Sequence, residues 1–407
     1  MPDTFQYKVK DKSGKVLEGS LEAENAQLVV SKLRSMGYVP IQIQQQGGGA
    51  SLQRELKIPG LSDRVKLKDV AVFSRQFATM INSGLSLLRS LYILAEQTES
   101  KPLAEIVNQV RMDVEKGASL SQALAKHPKA FNRLYVSMVR AGEVGGALDS
   151  VLLRLAETIE KQVELRRKVK SAMTYPVVVA VLVLVIVTAM LLFVIPMFQN
   201  IYKQLGGTLP APTQFLITIS NVCRKFWYLI FGLEIAAVVF FRRWINSEEG
   251  RKNWDAIKLR VPIFGKLVRK TALARFSRTL SALVRSGVPI LESLDIVADT
   301  AGNHVVAEAV RDTQGAVKRG EPLSKKLEDH EVFPPMVVQM MAVGEETGAL
   351  DEMLDKIADF YDQEVEATVD ALTSLIEPLL IVVMGVCVGG MIISLYLPMF
   401  NIIKLIK

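Results

Sequence analysis

The stretch KVKSAMTYPVVVAVLVLVIVTAMLLFVIPMF, residues 168–198, decides the fold of this chain. Its centre, from Val177 to Ile195, contains no charged residue over 19 positions. As a helix it would be about 28 Å long, which matches the hydrocarbon thickness of a bilayer. A soluble helix would keep a polar stripe, and this segment has none. We therefore predict a transmembrane helix over residues 171–196.

The flanking residues predict the orientation and the ends of this helix. A cluster of lysines and arginines at 166–170 precedes the apolar centre, as is typical of the cytoplasmic end of a membrane helix. Pro176 stands at the entry, where a proline would bend the helix. Pro196 stands at the exit, where we expect the helix to end.

The same pattern occurs twice along the chain, which indicates an internal duplication. FSRQFATMINSGLSLLRSL at 73–91 resembles FSRTLSALVRSGVPILESL at 276–294. Pro378 and Pro398 flank a second apolar segment as two prolines flank the first. Because the matching blocks stay in register over roughly 130 residues, we predict two helical lobes, each ending in a membrane helix.

The apolar spacing within the first lobe predicts a bundle of helices. The first would be capped by Asp69, and others follow at about 86–97, 101–115, 119–126 and 131–141. The last begins near Ala147 and is predicted to run unbroken into the membrane, as a rod on the order of 70 Å long. Such a rod would couple the lobe mechanically to the bilayer.

The predicted fold class is mainly α: a polytopic membrane protein with duplicated cytoplasmic helical-bundle lobes, three transmembrane helices and a small N-terminal α/β module. The middle span is expected because two lobes on one side of the membrane, each followed by an outward span, require a return helix. The predicted segments are the N-terminal module (1–43), a linker (44–65), lobe 1 (66–170), transmembrane helix 1 (171–196), a periplasmic loop (197–222), transmembrane helix 2 (223–241), a cytoplasmic connector (242–270), lobe 2 (271–373), transmembrane helix 3 (378–398) and a periplasmic tail (399–407).

The N-terminal residues predict both a small fold and the topology. Phe5, Tyr7 and Val9 alternate as in a half-buried strand, and residues 11–14 have the composition of a hairpin turn. The segment is polar and has no signal-peptide pattern, so we expect the N-terminus in the cytoplasm. Three spans then place the C-terminus in the periplasm.

The charge of the chain indicates contact with lipid. The 407 residues carry a formal net charge of +7, which by itself could indicate nucleic-acid binding. The basic residues instead cluster beside the apolar spans, where they set topology and meet anionic headgroups. We therefore predict the lipid bilayer as a partner and no binding of nucleic acid. Cys223 and Cys387 lack CxxC spacing, so neither a disulfide framework nor a metal site is indicated.

The sequence contains no recognisable catalytic motif. A P-loop, HExxH, GxSxG and a dinucleotide fingerprint are all absent. His127, His304 and His330 do not have the spacing of metal ligands. We predict that the chain is not an enzyme and needs no cofactor; if ATP is used, another protein hydrolyses it.

Four acidic residues occupy equivalent positions in the two lobes. Glu143 and Glu345 lie in matched Gly-Glu turns, and Asp149 and Asp351 follow them. They could form acidic contacts or weak cation sites at a lobe interface. Alternatively, the glycines permit the turn and the acids cap the next helix, which is the interpretation we favour.

Two features of the predicted spans suggest contacts inside the membrane. Glu234 is the one charged residue within the second span, so it is either a functional group or a carboxyl packed between helices. Gly385 and Gly389 form a GxxxG motif in the third span, which permits close approach of another helix.

These features together resemble a known family. KVKSAMTYP at 168–176, the charge-free span and VIP at 194–196, on a duplicated helical lobe, resemble the signature of the type II secretion F-protein family, which includes the PilC platform proteins of type IV pili. Residues 64–91 are most similar to the pilus branch. The second copy departs from the pattern, with Glu377 where the first has a tyrosine. The signature residues are Lys168, Tyr175, Pro176 and Pro196.

The resemblance implies an assembly platform in the bacterial inner membrane. Its expected partners are a hexameric cytoplasmic motor ATPase, the transmembrane helices of pilins or pseudopilins, and other inner-membrane components of the machine. ATP-driven movement of the lobes would help to lift pilins from the bilayer into the fibre. Two hydrophobic stripes per lobe favour a homo-oligomer, with a dimer as the expected form.

Two alternatives remain. A type II secretion platform would use the same physics to build a pseudopilus. A small transporter is disfavoured, because three spans with one charged residue at depth make a poor conduction path.

Overall fold

The computed structural model describes residues 3–10, 16–23, 26–46, 65–204, 210–262 and 264–405. The chain divides into two compact units, Met1–Arg64 and Val65–Lys407, which are described separately. The predicted turn at 11–14 and most of the predicted linker lie outside the described residues.

The N-terminal unit contains a small antiparallel sheet and one helix. The central strand pairs with both of the others. The helix packs on the sheet through Val29 and Leu33, which form a small buried core with Val9. A core of this size stabilises a fold only slightly. The elements are β1 (Asp3–Lys10), β2 (Val16–Ala23), α1 (Ala26–Ser35) and β3 (Val39–Gln46).

Lobe 1 is a helical bundle built around aromatic side chains. The rings of Phe73 and Phe131 have centroids 5.7 Å apart, and Phe131 lies 4.8 Å from Tyr135. The predicted cap of the first helix is wrong, because Lys66 is the N-cap residue. Asp69 lies in the first turn, where its negative charge interacts favourably with the helix dipole and stabilises the helix. The helices are α2 (Leu67–Asn82), α3 (Leu87–Gln97), α4 (Lys101–Glu115), α5 (Leu120–Ala125), α6 (Arg133–Gly145) and the first part of α7 (Leu148–Ala189).

Lobe 2 repeats this order of helices and the aromatic packing. Phe276 and Phe333, the equivalents of the first aromatic pair, have centroids 5.0 Å apart. Its first helix begins at Phe264, before the predicted boundary at 271, because the additional turns pack Leu267 against the last helix of the lobe. The helices are α12 (Phe264–Arg285), α13 (Ile290–Thr300), α14 (His304–Lys318), α15 (Leu323–Glu328), α16 (Pro335–Thr347) and the first part of α17 (Leu350–Leu405).

The two lobes pack against each other and share one hydrophobic core. At their surface Arg133 of α6 binds Asp295 at 2.8 Å and also pairs with Asp299. The guanidinium of Arg154 in α7 donates a hydrogen bond to the backbone carbonyl of Arg285 in α12. The lobes are therefore held together by apolar packing and by charged contacts at its edge.

The segment between the lobes is more helical than predicted. The predicted periplasmic loop at 197–222 is largely helix in its described part, and the helix that follows begins at Trp227 instead of 223. Phe226, with φ −116°, separates the helix that ends at Lys225 from the helix that begins at Trp227. The second apolar helix therefore begins later than the predicted second span. The elements are a π-helical turn (Met190–Val194), α8 (Ile195–Gln204), α9 (Ala211–Lys225), α10 (Trp227–Ile245) and α11 (Glu248–Arg260).

The prediction that prolines end the apolar helices is also wrong. Pro196 is the second residue of α8, which follows α7 through the π-helical turn without an intervening loop. Pro398 lies within α17, which continues to Leu405 through the predicted tail at 399–407. A proline removes one N–H from a helix, and the helix can continue if the carbonyl left free finds another donor.

Candidate functional site where the lobes meet the apolar helices

Each lobe is continuous with an apolar segment through one long helix. The first turns of α7 are anchored in the core of lobe 1 by Val151, Leu155 and Ile159. The first turns of α17 are anchored in lobe 2 by Leu354 and Ile357. Both helices then continue without a loop from the lobe into the apolar segment.

An arginine at equivalent positions ties the first helix of each lobe to its long helix. Arg75 in α2 binds Glu160 of α7, with Nε 2.8 Å from Oε1, and this hydrogen bond lowers the pKa of the Glu160 carboxyl. In lobe 2 Arg278 of α12 binds Asp359 at 2.9 Å and Asp362 at 2.5 Å. Burial raises the pKa of Asp362 in spite of this pairing.

The two long helices contact each other just before their apolar segments. Val365, Val369 and Leu372 of α17 are buried in a cluster with Leu267 of α12. The cluster is completed from α7 by partly buried Leu165, Val169 and Ala172. Beside it Lys168 binds Glu366 across the helix pair at 2.9 Å, which raises the pKa of the lysine. Lys168, which the sequence predicts as a signature residue, therefore contacts the second repeat.

The segments beyond this contact are long, apolar and exposed. Among the described residues two helical stretches, Leu148–Ile201 and Leu350–Leu397, are long and apolar enough to cross a membrane. In their most apolar windows only 6% and 11% of the residues are buried, whereas the core helix of a soluble protein would be mostly buried. Tyr175 is 53% exposed at the start of the first segment, next to buried Pro176.

A third exposed apolar helix lies between them. Every residue of α10 from Trp227 to Arg243 is exposed, although most of these side chains are apolar. Its charged residues are Glu234 near the middle and Arg242 and Arg243 in the last turn. Glu234 therefore has no partner helix in the described part of the chain.

Helix α9 joins the far ends of the two apolar segments. Ile217 of α9 is buried against Ile195 and Leu395. The hydroxyl of Ser220 donates a hydrogen bond of 2.5 Å to the backbone carbonyl of Leu191, and the hydroxyl of Thr213 donates one to that of Ser394. We call Thr213 and Ser220 the hydroxyl clamp.

The carbonyls bound by the hydroxyl clamp are those that the two prolines leave free. In the π-helical turn the N–H of Ile195 donates to the carbonyl of Met190, so the next carbonyl, that of Leu191, would need an N–H from Pro196. In the α-helical register of α17 the carbonyl of Ser394 would need an N–H from Pro398. Proline has none, and the clamp supplies both missing donors. This explains why both helices continue past their prolines.

Sequence reasoning missed the hydroxyl clamp, although a signal was present. Thr213, Ile217 and Ser220 have the spacing i, i+4, i+7 and therefore share one face of a helix. The glycines and prolines around this segment predict a loop. A polar residue on a predicted loop is expected to face solvent, so the pattern did not indicate a buried face. Both hydroxyl residues are 1% exposed.

The two glycines of the predicted GxxxG motif have no close neighbour from another helix in the described part of the chain. A side chain added at Gly385 or at Gly389 would meet no atom within 4 Å. Both glycines therefore leave a groove on α17 that the described residues do not fill.

The matched glutamates cap a helix, but not the predicted one. Glu143 at the end of α6 accepts hydrogen bonds from the backbone N–H groups of Leu120 and Ser121, at 2.5 and 3.1 Å. Glu345 accepts equivalent bonds from Leu323 and Ser324, at 2.6 and 2.9 Å. Each carboxylate thus caps the short helix that precedes it, α5 or α15, instead of the helix that follows. The free N–H groups of a helix start are the strongest nearby donors for a carboxylate.

This arrangement predicts a clear difference between two neighbouring glutamates. Glu345→Ala leaves two backbone donors and the hydroxyl of Ser324 without their acceptor, so we expect a loss of about 2 kcal/mol in the free energy of unfolding. Glu346→Ala removes an exposed side chain and should change it by less than about 0.5 kcal/mol. Denaturant unfolding of the purified protein followed by circular dichroism measures both values. Equal effects of the two substitutions would contradict the capping role.

The remaining candidate acids do not form a metal site. Asp149 lies in the first turn of α7, and Asp351 in that of α17, where its carboxylate accepts from Arg285 at 3.2 Å. Among the described residues no group of three or more His, Cys, Asp or Glu side chains could hold a metal ion. His127 and His330 occupy equivalent loops, and His330 contacts Asp312 at 3.1 Å.

Comparison with known proteins identifies the class to which this architecture belongs. The family described as "Type II secretion system (T2SS), protein F" matches residues 73–196 and again residues 276–398, and its N-terminal domain matches residues 1–44. The two matches confirm the predicted duplication. The chain belongs to the type II secretion system protein F family.

Particular relatives align over almost the full chain. A protein of Thermus thermophilus named Type IV pilus assembly protein PilC is 48% identical over 400 residues, covering 98% of both chains. The protein of the same name from Myxococcus xanthus is 42% identical and covers 98% of this chain and 94% of its own. The Type II secretion system protein F of Vibrio cholerae is 34% identical and covers 99% of each. The pilus assembly proteins are thus more similar to this chain than that secretion protein is.

Proposed function

We propose that this chain is the platform protein of a type IV pilus assembly machine in the bacterial inner membrane. The observation that carries the proposal is a duplicated lobe in which each copy continues through one unbroken helix into an apolar segment. The higher identity to pilus assembly proteins, 48% against 34% for a secretion protein, favours the pilus over a pseudopilus.

In this function the lobes receive force and the long helices transmit it. A hexameric cytoplasmic ATPase would act on the lobes, which offer no catalytic motif of their own. The contact between α7 and α17 around Lys168 and Glu366 would make the two lobes move as one body. The hydroxyl clamp would pass the motion between the far ends of the apolar segments. Pilin transmembrane helices, other inner-membrane components and a second copy of the chain would bind the exposed helices.

Gene deletion and complementation test this function. Loss of the gene should abolish pili seen by electron microscopy, and a plasmid copy should restore them. Secretion of folded exoproteins should be unchanged in the same strain. Normal pili with lost secretion would reject the pilus assignment and favour the type II secretion alternative.

We further propose three membrane spans with the N-terminus in the cytoplasm. The exposure of α10 along its length and the arginines at its end, Arg242 and Arg243, support a middle span that returns the chain to the cytoplasm. Glu234 and the groove at Gly385 and Gly389 would then lie inside the bilayer, where another helix can contact them.

Reporter fusions should resolve this topology. A fusion at Gly206 should show periplasmic activity, and fusions at Gly49 and Gly320 should show cytoplasmic activity. The physical reason is that two lobes related by duplication, each followed by a span in the same direction, must lie on the same side of the membrane. Alkaline phosphatase and green fluorescent protein provide complementary signals. A periplasmic signal at Gly320 would reject the parallel arrangement of the lobes.

A further inference from the structure

A cavity of about 990 Å³ lies between the two lobes, where α7 leaves lobe 1. Most of its wall comes from α7, from α12 and from the turn between α13 and α14. Its volume falls within the range of pockets that hold small-molecule ligands. None of the residues assigned above to the hydroxyl clamp or to the glutamate caps of lobe 1 and lobe 2 lines it.

The lining of this cavity has a large excess of positive charge. It contains six lysines and arginines but only two aspartates. Both aspartates are already engaged, because Asp362 binds Arg278 at 2.5 Å and Asp299 binds Arg311 at 3.0 Å. The lining cations are Lys161, Arg166, Lys170, Lys258, Arg275 and Arg278.

Three of these cations have no counter-charge. Within the described ranges Arg166, Lys170 and Arg275 form neither an ion pair nor a side-chain hydrogen bond. Arg275 is partly buried, and burial together with the nearby Arg166 lowers the pKa of its guanidinium. Arg166 and Lys170 are exposed, whereas Arg275 is partly removed from water, which is unfavourable for a cation without a partner. The Arg275 guanidinium is therefore under electrostatic strain in the free cavity. An anion in the cavity would relieve that strain.

The turn at Gly302 is shaped around the Arg275 guanidinium. Gly302 has φ +75°, and a Cβ at this position would overlap Nη1 of Arg275. The absence of a side chain lets the guanidinium lie against the turn instead of extending into solvent. The position of Arg275 is therefore determined by the fold of lobe 2, whereas Arg166 and Lys170 are contributed by α7 from lobe 1.

We propose that this cavity binds a phosphate-bearing anion between Arg166, Lys170 and Arg275. A planar guanidinium offers paired donors that match phosphate oxygens, and the lysine adds a point charge. Val169 and Met173 provide an apolar wall for the uncharged part of the ligand. The phosphate comes from a soluble compound or from a lipid headgroup, since Lys170 directly precedes the predicted membrane helix. Because the cations belong to different lobes, the bound anion fixes the lobes relative to each other.

Titration of the full-length protein in detergent with inorganic pyrophosphate tests the soluble source. Isothermal calorimetry should detect binding by the wild-type protein, and Arg275→Gln should weaken it about tenfold or more. Arg140→Gln is the matched control: Arg140 is exposed on lobe 1 and forms no ion pair in the described part of the chain, and its loss should leave affinity unchanged. Equal weakening by both variants would indicate charge screening alone and reject the site.

Nanodiscs distinguish the lipid source and show that the variant is folded. If a lipid headgroup occupies the cavity, phosphatidylglycerol should raise the melting temperature of the wild-type protein over that in pure phosphatidylcholine, with a smaller rise for Arg275→Gln than for Arg140→Gln. Without any anion, Arg275→Gln should melt at or above the wild-type temperature, because the repulsion from Arg166 is removed. If Arg275→Gln does not fold, Arg166→Gln replaces it in both assays. The absence of pyrophosphate binding together with identical melting in both lipids would overturn the proposal.

Discussion

Insertion of two glycines after Glu164 is expected to abolish pilus assembly while the protein remains folded in the membrane. Residues upstream of this point anchor α7 in lobe 1, and residues downstream carry Leu165, Val169 and Ala172 toward α17. Two extra residues rotate one part of the helix against the other by about 200°. The downstream side chains would then face away from Val365 and Val369.

The insertion also softens the helix at the point where force must pass. Each glycine lowers the stability of an α-helix by roughly 1 kcal/mol relative to alanine, so α7 becomes more flexible at the insertion. Lys168 would lose its partner Glu366, which removes the charged contact between the two long helices. A lobe driven by the motor could then move without moving its apolar segment.

The measurement is pilus number per cell, together with the amount of the protein in isolated membranes. The same two glycines placed after Gly49, within the predicted linker, form the matched control and should leave piliation normal. The insertion variant should still bind the motor ATPase in a pull-down, because the lobe surfaces are unchanged. Normal piliation by a stable insertion variant would show that the platform is a passive scaffold.

Sequence patterns predicted those features that depend on local periodicity. The charge-free segment at 177–195 and the repeated blocks at 73–91 and 276–294 required only the spacing of apolar residues. The family matches bear out the duplication, and the first apolar segment lies in a helix long enough to span a membrane. Such features are encoded within a few turns of one helix, so one sequence is sufficient to find them.

The features that the sequence did not predict all depend on contacts between distant residues. Local rules assign a carboxylate such as Glu143 to the helix that follows it, whereas it caps α5, whose first residue, Leu120, is more than twenty positions earlier. The rule that proline ends a helix fails at Pro196 because its missing donor is replaced from α9. The cavity around Arg275 is formed only when the two lobes meet, so neither copy of the repeat contains it alone.

Removal of the hydroxyl clamp should destabilise the joint between the apolar segments. Ser220→Ala leaves the partly buried carbonyl of Leu191 without a donor, because Pro196 cannot supply one. Thr213→Val likewise leaves the carbonyl of Ser394 without a hydrogen-bond donor, because Pro398 cannot supply one. An unsatisfied buried acceptor costs about 1–3 kcal/mol, and hydrogen bonds between membrane helices average about 0.6 kcal/mol. Since the residue whose N–H would bind each carbonyl in its helix is a proline, we expect about 1–2 kcal/mol for each substitution.

The chain offers a matched control for this loss. Thr218→Val also removes a hydroxyl from α9, but that hydroxyl donates to the carbonyl of Gln214 in its own helix and is exposed. We expect its effect to stay below about 0.5 kcal/mol. Unfolding of the full-length protein in detergent, followed by circular dichroism, compares the three variants. If Thr218→Val were as destabilising as Ser220→Ala, the clamp would have no special role.

A double-mutant cycle with Pro196 separates the clamp from general packing. Pro196→Ala restores the N–H that can donate to the carbonyl of Leu191, so this carbonyl no longer depends on Ser220. Ser220→Ala should therefore cost about 1 kcal/mol less in the Pro196→Ala background than in the wild-type protein. Equal costs in both backgrounds would mean that Ser220 stabilises α9 through packing alone. A reduced cost would mean that Pro196 and Ser220 act as one unit. The carbonyl that the proline leaves without a donor is then the point at which α9 binds the first apolar helix.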